Sequence, residues 1–267
     1  MSTDPAMPIS GDGPLPWERI EMVVFDLDGT LYRQSPLRLR MAGLLLGHCL
    51  ANRGGWRCVR TLRTFRRCRE ELAEQNARDV SVLQYELPAA RLGTDPETVR
   101  TVVDEWMEKR PLAFLQRYAR PGVHELFQAL RASGRKVAVL SDHPVERKLA
   151  ALGLTADFTM CSTDAPGGRL KPNPAGLRLL LAAAGSRPRD CLMVGDRMDR
   201  DGEAARRAGA HFLLVASRGA QGVNRCAGFD DPAFAPLLRC SVPVDTASDS
   251  GNGCLNGSRS VGRPPRS

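Results

Sequence analysis

Five short apolar runs constrain this chain more than any other feature of its sequence. They are Glu21–Leu27, Lys136–Ser141, Asp157–Cys161, Cys191–Gly195 and His211–Val215. Each is rich in Val, Leu, Met or Phe and ends at a polar residue or glycine. Runs without polar alternation suit strands buried on both faces. Helical patterns separate the later runs, over Val123–Ser133, Val145–Leu152, Pro174–Ala184 and Glu203–Ala208. Gly134, Gly153, Gly185 and Gly209 stand where helix C-caps belong. Strands alternating with helices predict an α/β fold with a doubly wound parallel sheet. Ligands of such sheets bind beyond the carboxyl ends of the strands, where the polar motifs of this chain fall.

The remaining sequence divides around those runs. Residues 33–118 read as helices with few strand signals, inserted between core segments 21–32 and 119–219. Residues 1–20 read as a flexible tail. Residues 220–267 read as an extension, largely disordered from 241, where six Ser, four Gly and three Pro leave little apolar surface to bury. A chain of 267 residues with 42% apolar and 25% charged residues can bury a sizeable core and is ordinary for a globular protein. The longest apolar stretch, Met41–Ala51, is too short to span a bilayer, which takes about 20 residues. The first 16 residues carry no Lys or Arg and four prolines, unlike a secretory signal. The 8 cysteines form no CxxC pair, and with only 4 histidines a zinc cluster is not expected. Reduced thiols in a cytoplasm are the simplest reading.

The first run ends in Phe25-Asp26-Leu27-Asp28-Gly29-Thr30-Leu31. Two carboxylates two residues apart can face one side of an extended segment, and Gly29 lets the chain turn after them. Alone, such a pair could be a metal site, a turn or a helix cap. Its weight rises because Ser141 closes the second run, Lys171 lies in Lys171-Pro172-Asn173-Pro174, and Gly195-Asp196 closes the fourth run with Asp201 just after.

In this order the motifs resemble the haloacid dehalogenase-like hydrolase superfamily, over roughly Glu21–Arg218. Pro121-Gly122-Val123 and Ser141-Asp142-His143-Pro144 look like members with a small helical cap after the first motif. The resemblance implies a Rossmann-like core with residues 33–118 as that cap. It implies Asp26 as the nucleophile that takes up a phosphoryl group, and Asp28 as the acid for the leaving oxygen and then the base for water. It also implies that Thr30 and Ser141 position Asp28 and bind phosphoryl oxygens, and that Lys171 neutralises charge. Asp26, Asp28 through its carbonyl and Asp196 would hold Mg²⁺, with Asp201 either a further ligand or just behind one. Phosphoryl transfer needs positioned charge and a hard cation, which these residue types supply. Halide leaves without a proton, and carbon–halogen-cleaving relatives lack an acid at position 28. A phosphorylated small molecule is therefore the expected substrate, with a phosphomutase or a non-catalytic binding module as the rivals. Asp142, where many relatives have Asn, counts with Thr30 and Ser141 among the expected substrate-binding residues, or else caps the helix from Pro144. His143 reads as a solvated loop residue, and Arg197 as an outward ion pair.

The net charge of +8 favours anionic partners in general. Residues 53–69 hold seven arginines and no acid. Arg53, Arg57, Arg60, Arg63 and Arg67 recur every three or four residues and line one helix face, with Trp56, Val59, Leu62 and Phe65 largely on another. A solvated arginine face over a core containing Trp56 is the plain expectation. A specificity surface for an anionic substrate is the first functional alternative. Peripheral membrane contact, with Leu44-Leu45-Leu46 inserting, is the second. Nucleic acid is disfavoured because aromatic residues for stacking are few.

Overall fold

In a computed structural model of the chain, residues 15–165, 167–216 and 224–238 are described. Strands β1 (Met22–Phe25), β2 (Lys136–Ser141), β3 (Phe158–Cys161), β4 (Cys191–Gly195), β5 (His211–Val215) and β6 (Arg225–Cys226) form one sheet. Its order is β3-β2-β1-β4-β5-β6, parallel throughout. The reversal of order beside β1 places the motif-bearing ends of β1, β2 and β4 side by side.

Side-chain alternation sorts each strand between two cores. Val23, Phe25, Val137, Val139, Leu192 and Val194 face one side, under α6 (Val123–Ala132) and α7 (Glu146–Leu152). Met22, Val24, Ala138, Leu140 and Met193 face the other, under α8 (Ala175–Ala184) and α9 (Glu203–Ala208). Both faces are covered, which is why the strand sequences lack polar alternation.

Helices α1 (Gln34–Ala51), α2 (Gly55–Glu74), α3 (Val80–Leu92), α4 (Pro96–Val103) and α5 (Leu112–Tyr118) form an insert between β1 and α6. Leu62, Phe65, Val99, Val103 and Trp106 give it a core of its own. A π-helical segment, Asp104–Lys109, joins α4 to the turn before α5. No helix among the described residues is long and apolar enough to cross a membrane.

Two sequence expectations fail at the edges. The tail expected over 1–20 is anchored at its inner end: Trp17 and Ile20 are buried in the main core. The Trp17 indole N–H donates to the Ala233 carbonyl at 2.8 Å, and its ring packs 5.9 Å from Phe234. The extension expected from 220 contributes β6, α10 (Ala235–Leu238) and the buried Phe229 and Phe234. Isolated aromatics among Gly, Pro and Ala follow neither a strand nor a helix period, which leaves them illegible as core. The stretches expected to be disordered, residues 1–14 and 241–267, lie outside the described residues.

Candidate active site

The residues at the strand ends converge on one pocket. Asp26 follows β1, and the Asp26 N–H donates to Val194 O at 2.8 Å, an extension of the sheet ladder. Lys171 Nζ reaches Asp26 Oδ1 and Asp201 Oδ1, both at 2.6 Å. Asp26, Asp196 and Asp201 each offer an oxygen within 4.8 Å of the others. Asp201 is brought inward by a π-helical turn, Met198–Gly202, and its Oδ2 accepts the Arg197 N–H at 3.1 Å. Lys171 precedes a cis peptide bond to Pro172.

Two glycines make room for these acids. A side chain on Gly195 would put its Cβ 2.4 Å from the Cβ of Asp201. Gly29 has φ +106, and a Cβ there would lie 2.2 Å from Asp196 Oδ2. Gly29→Ala is therefore expected to displace Asp196, and to cost more than about 1 kcal/mol through backbone strain. Urea unfolding and metal activation of the variant check both effects, and a variant matching the wild type in both overturns the account.

The electrostatics separate the carboxylates. Burial pushes Asp26 well above the ordinary carboxylate range; Asp201 and Asp28 add to this and Lys171 opposes it. Burial, helped by Asp26, pushes Asp196 up to about 6. Burial raises Asp201 as well, against Lys171. Burial alone would lower Lys171, yet Asp201 and Asp26 hold it well above its usual value. Three acids thus face one ammonium, an arrangement that a divalent cation would relieve.

Asp28 behaves oppositely. Burial would raise it, but Lys148, His143 and the Tyr32 hydroxyl outweigh burial and hold it below the usual range. Lys148 Nζ donates to Asp28 Oδ1 at 3.0 Å and pairs with Glu108 Oε2 at 3.2 Å. Tyr32 donates to the same Asp28 oxygen. Ser141 Oγ donates to Asp28 Oδ2 at 3.4 Å. The structure therefore brings Asp26, Asp28, Thr30, Ser141, Asp142, Lys171, Asp196 and Asp201 together.

Some expected contacts differ. Thr30 Oγ1 donates to Asp26 Oδ2 at 2.9 Å, so it holds Asp26 rather than Asp28, because the turn at Gly29 carries it back over β1. Asp142 does not cap the following helix: Val145 is the N-cap of α7, with no side-chain cap. Asp142 Oδ1 instead accepts the Lys171 N–H at 3.1 Å, tying the loop after β2 to the lysine loop at the rim of the cleft. His143 is half-buried, its Nδ1 3.2 Å from Glu108 Oε1. Arg197 forms the expected outward ion pair with Asp199 at 2.7 Å, but it also lines the cleft, where it reaches Glu70 of α2 at 3.3 Å. Trp56 is 59% exposed and lies outside the core of the insert. The arginine face divides: Arg63 lines the cleft, whereas Arg53, Arg57 and Arg60 do not, and Arg67 pairs with Glu71.

Lys148, Tyr32 and Glu108 escaped the sequence reading. Lys148 did leave a signal. It interrupts the apolar stripe Val145, Leu149, Leu152 of α7, and a lysine on a core-facing stripe requires a partner. Glu108 left none, because the π-helical register that aims it inward has no sequence period.

The model of the haloacid dehalogenase-like hydrolase family matches residues 20–209. The chain belongs to that family. Among the curated family relatives, a phosphoglycolate phosphatase of Xylella fastidiosa is 29% identical over 198 residues, covering 72% of this chain and 79% of the relative. A glyceraldehyde 3-phosphate phosphatase of Methanopyrus kandleri is 30% identical over 198 residues, covering 71% of this chain and 81% of the relative. Among solved structures, a 2-haloacid dehalogenase from Pseudomonas syringae superposes with a TM-score of 0.56. It is 20% identical and covers 83% of this chain and 98% of its own, a likeness of fold. The fold and family implied by the motifs are thus both met.

Proposed function

We propose that this family member is a Mg²⁺-dependent phosphatase that hydrolyses a small phosphate monoester through an aspartyl-phosphate. The observation that carries the reading is the cluster of Asp26, Asp196 and Asp201, bridged by Lys171, with Asp28 held separately by Lys148. The phosphatase relatives favour the same class of substrate. The acid at position 28 is what a leaving alkoxide needs and a leaving halide does not.

The donor set suits Mg²⁺, which takes hard oxygen ligands at close range. Asp26, Asp196, Asp201 and the Asp28 carbonyl would hold it, and the ion would supply charge to the phosphoryl oxygens. Within the chain, Thr30 and Lys171 orient the Asp26 carboxylate for attack on phosphorus. Lys148, His143 and the Tyr32 hydroxyl outweigh burial and favour the ionised form of Asp28, so a proton carried in on the substrate phosphate would be the one it passes to the leaving oxygen. In the second half-reaction Asp28 takes a proton from the attacking water, and the phosphoryl–Asp26 bond breaks.

The test is phosphate release from a panel of phosphorylated metabolites, with and without Mg²⁺. EDTA is expected to silence the enzyme. Asp196→Ala is expected to raise the Mg²⁺ concentration needed for half-activation by about tenfold or more. Activity indifferent to EDTA removes the metal from the reading. Return of the phosphoryl group to a sugar, in place of its release, identifies a phosphomutase.

A further inference from the structure

The cleft above the carboxylates is larger than a small metabolite phosphate requires. Its volume is about 690 Å³, within the range of sites that enclose drug-sized ligands. It runs between α1 and α2. Leu37, Met41 and Leu45 line it at four-residue steps along α1, continuing to Cys49. That length of helix is about 18 Å. Trp56, Val59 and Leu62 line it from α2, and Trp106 and Met107 from the π-helical segment.

Polarity changes in order along this cleft. Next to the carboxylates, the polar groups of α2 are engaged. Arg69 donates to Gln84 and to the Asp142 carbonyl, and Glu70 binds Arg197 and Arg200. About one turn farther, Arg38 and Arg66 line the cleft from its solvent-exposed side, and neither has an ion-pair or hydrogen-bond partner among the described residues. Desolvation, and Arg38 beside it, push Arg66 below its ordinary value. Two adjacent unpaired guanidinium groups favour an anion or a polar oxygen cluster between them. Beyond Arg63 the lining of α1 and α2 is uncharged and almost wholly apolar, out to the exposed indole of Trp56.

We infer that the substrate is an amphiphilic phosphate monoester, with its phosphate at the Asp26 end, its polar neck facing Arg38 and Arg66, and an acyl or aromatic body between α1 and α2. The inference rests on the phosphatase reading and narrows its substrate class. Continuity of the apolar walls with the catalytic pocket supports it. A small polar metabolite would leave those walls in contact with water. An apolar body gains from burial there, and each enclosed methylene strengthens binding by up to about fourfold.

Binding and turnover test it separately. Butyl and dodecyl phosphonate, which cannot be hydrolysed, are titrated into the Mg²⁺-loaded protein by calorimetry. Butyl and dodecyl phosphate are compared as substrates. The dodecyl compounds are expected to win by at least about a hundredfold in Kd and in kcat/KM. Trp56→Ala and Val59→Asn are expected to cut the dodecyl-to-butyl ratio about tenfold or more, whereas Leu179→Gln on α8, outside the cleft, leaves it as it is. Presenting dodecyl phosphate as monomers or in phosphatidylcholine vesicles distinguishes a dissolved from a membrane-borne source. Equal affinities for the two phosphonates, or a ratio unmoved by both cleft variants, overturn the inference. Selective binding of dodecyl phosphonate without hydrolysis of any monoester overturns the phosphatase reading alone.

Discussion

Asp26→Asn is expected to abolish turnover while leaving the chain folded. The amide keeps the shape of the carboxylate: its oxygen can still accept from Lys171, and its NH2 group can donate to the Thr30 hydroxyl in place of the bond that Thr30 now donates. It cannot attack phosphorus to give an acyl phosphate, so the loss should be on the order of 10⁴-fold or more. Stability should change little. Burial and Asp201 already disfavour the charged form of Asp26, so removing that charge relieves repulsion. Lys171 keeps its second carboxylate partner, Asp201 at 2.6 Å. Steady-state phosphate release and thermal unfolding of the same preparation check both halves. Activity within about tenfold of the wild type would exclude covalent catalysis by Asp26.

Lys148→Met is expected to cost both stability and rate. Lys148 is buried between Asp28 and Glu108, which are themselves largely buried. Removing one partner from a buried ionic cluster leaves uncompensated charge and costs about 3–5 kcal/mol. The dependence on pH follows from the signs. Asp28 has its folded pKa depressed, so its contribution is present above its unfolded value of about 4 and is lost as pH falls through the folded pKa. Lys148 has its folded pKa raised, so its contribution is full below about 10.4 and is lost as pH rises through the folded pKa. The wild-type advantage should therefore be largest between these limits and should shrink in acid. Without Lys148 the Asp28 pKa moves upward, and the acidic limb of the rate profile should move with it. Urea unfolding at several pH values and a kcat/KM profile measure the two effects. An unshifted profile with full stability would show that Lys148 is not the group that sets Asp28.

The strands were legible in the sequence because both faces of the sheet are covered, which leaves continuous apolar runs. Lys136–Ser141, Cys191–Gly195 and His211–Val215 match observed strands end for end. The carboxylates and Lys171 were legible because they sit at fixed offsets from those strands. What escaped depends on partners distant in sequence. Lys148 meets Asp28 across 120 residues and Glu108, within the helical insert, across 40. Trp17 finds Ala233 across 216 residues. The exposure of Trp56 escaped because its helical spacing is that of a core residue. The helical period of α2 fixes the face on which Trp56 lies but not what covers that face.

The position of β1 at the centre of the sheet also sets a timetable for synthesis. Its flanking strands are β2 and β4, and β4 begins only at Cys191. At ribosomal rates of about 5–20 residues per second, roughly 8–34 s separate the emergence of β1 from that of β4. Until β2 emerges Phe25 and its neighbours have two open flanks, from then until β4 emerges they have one, and Asp26 lacks Asp201 throughout. The nascent chain therefore carries an apolar strand with at least one unpaired edge until β4 emerges. It cannot form the carboxylate cluster until Asp201, 175 residues after Asp26, has emerged.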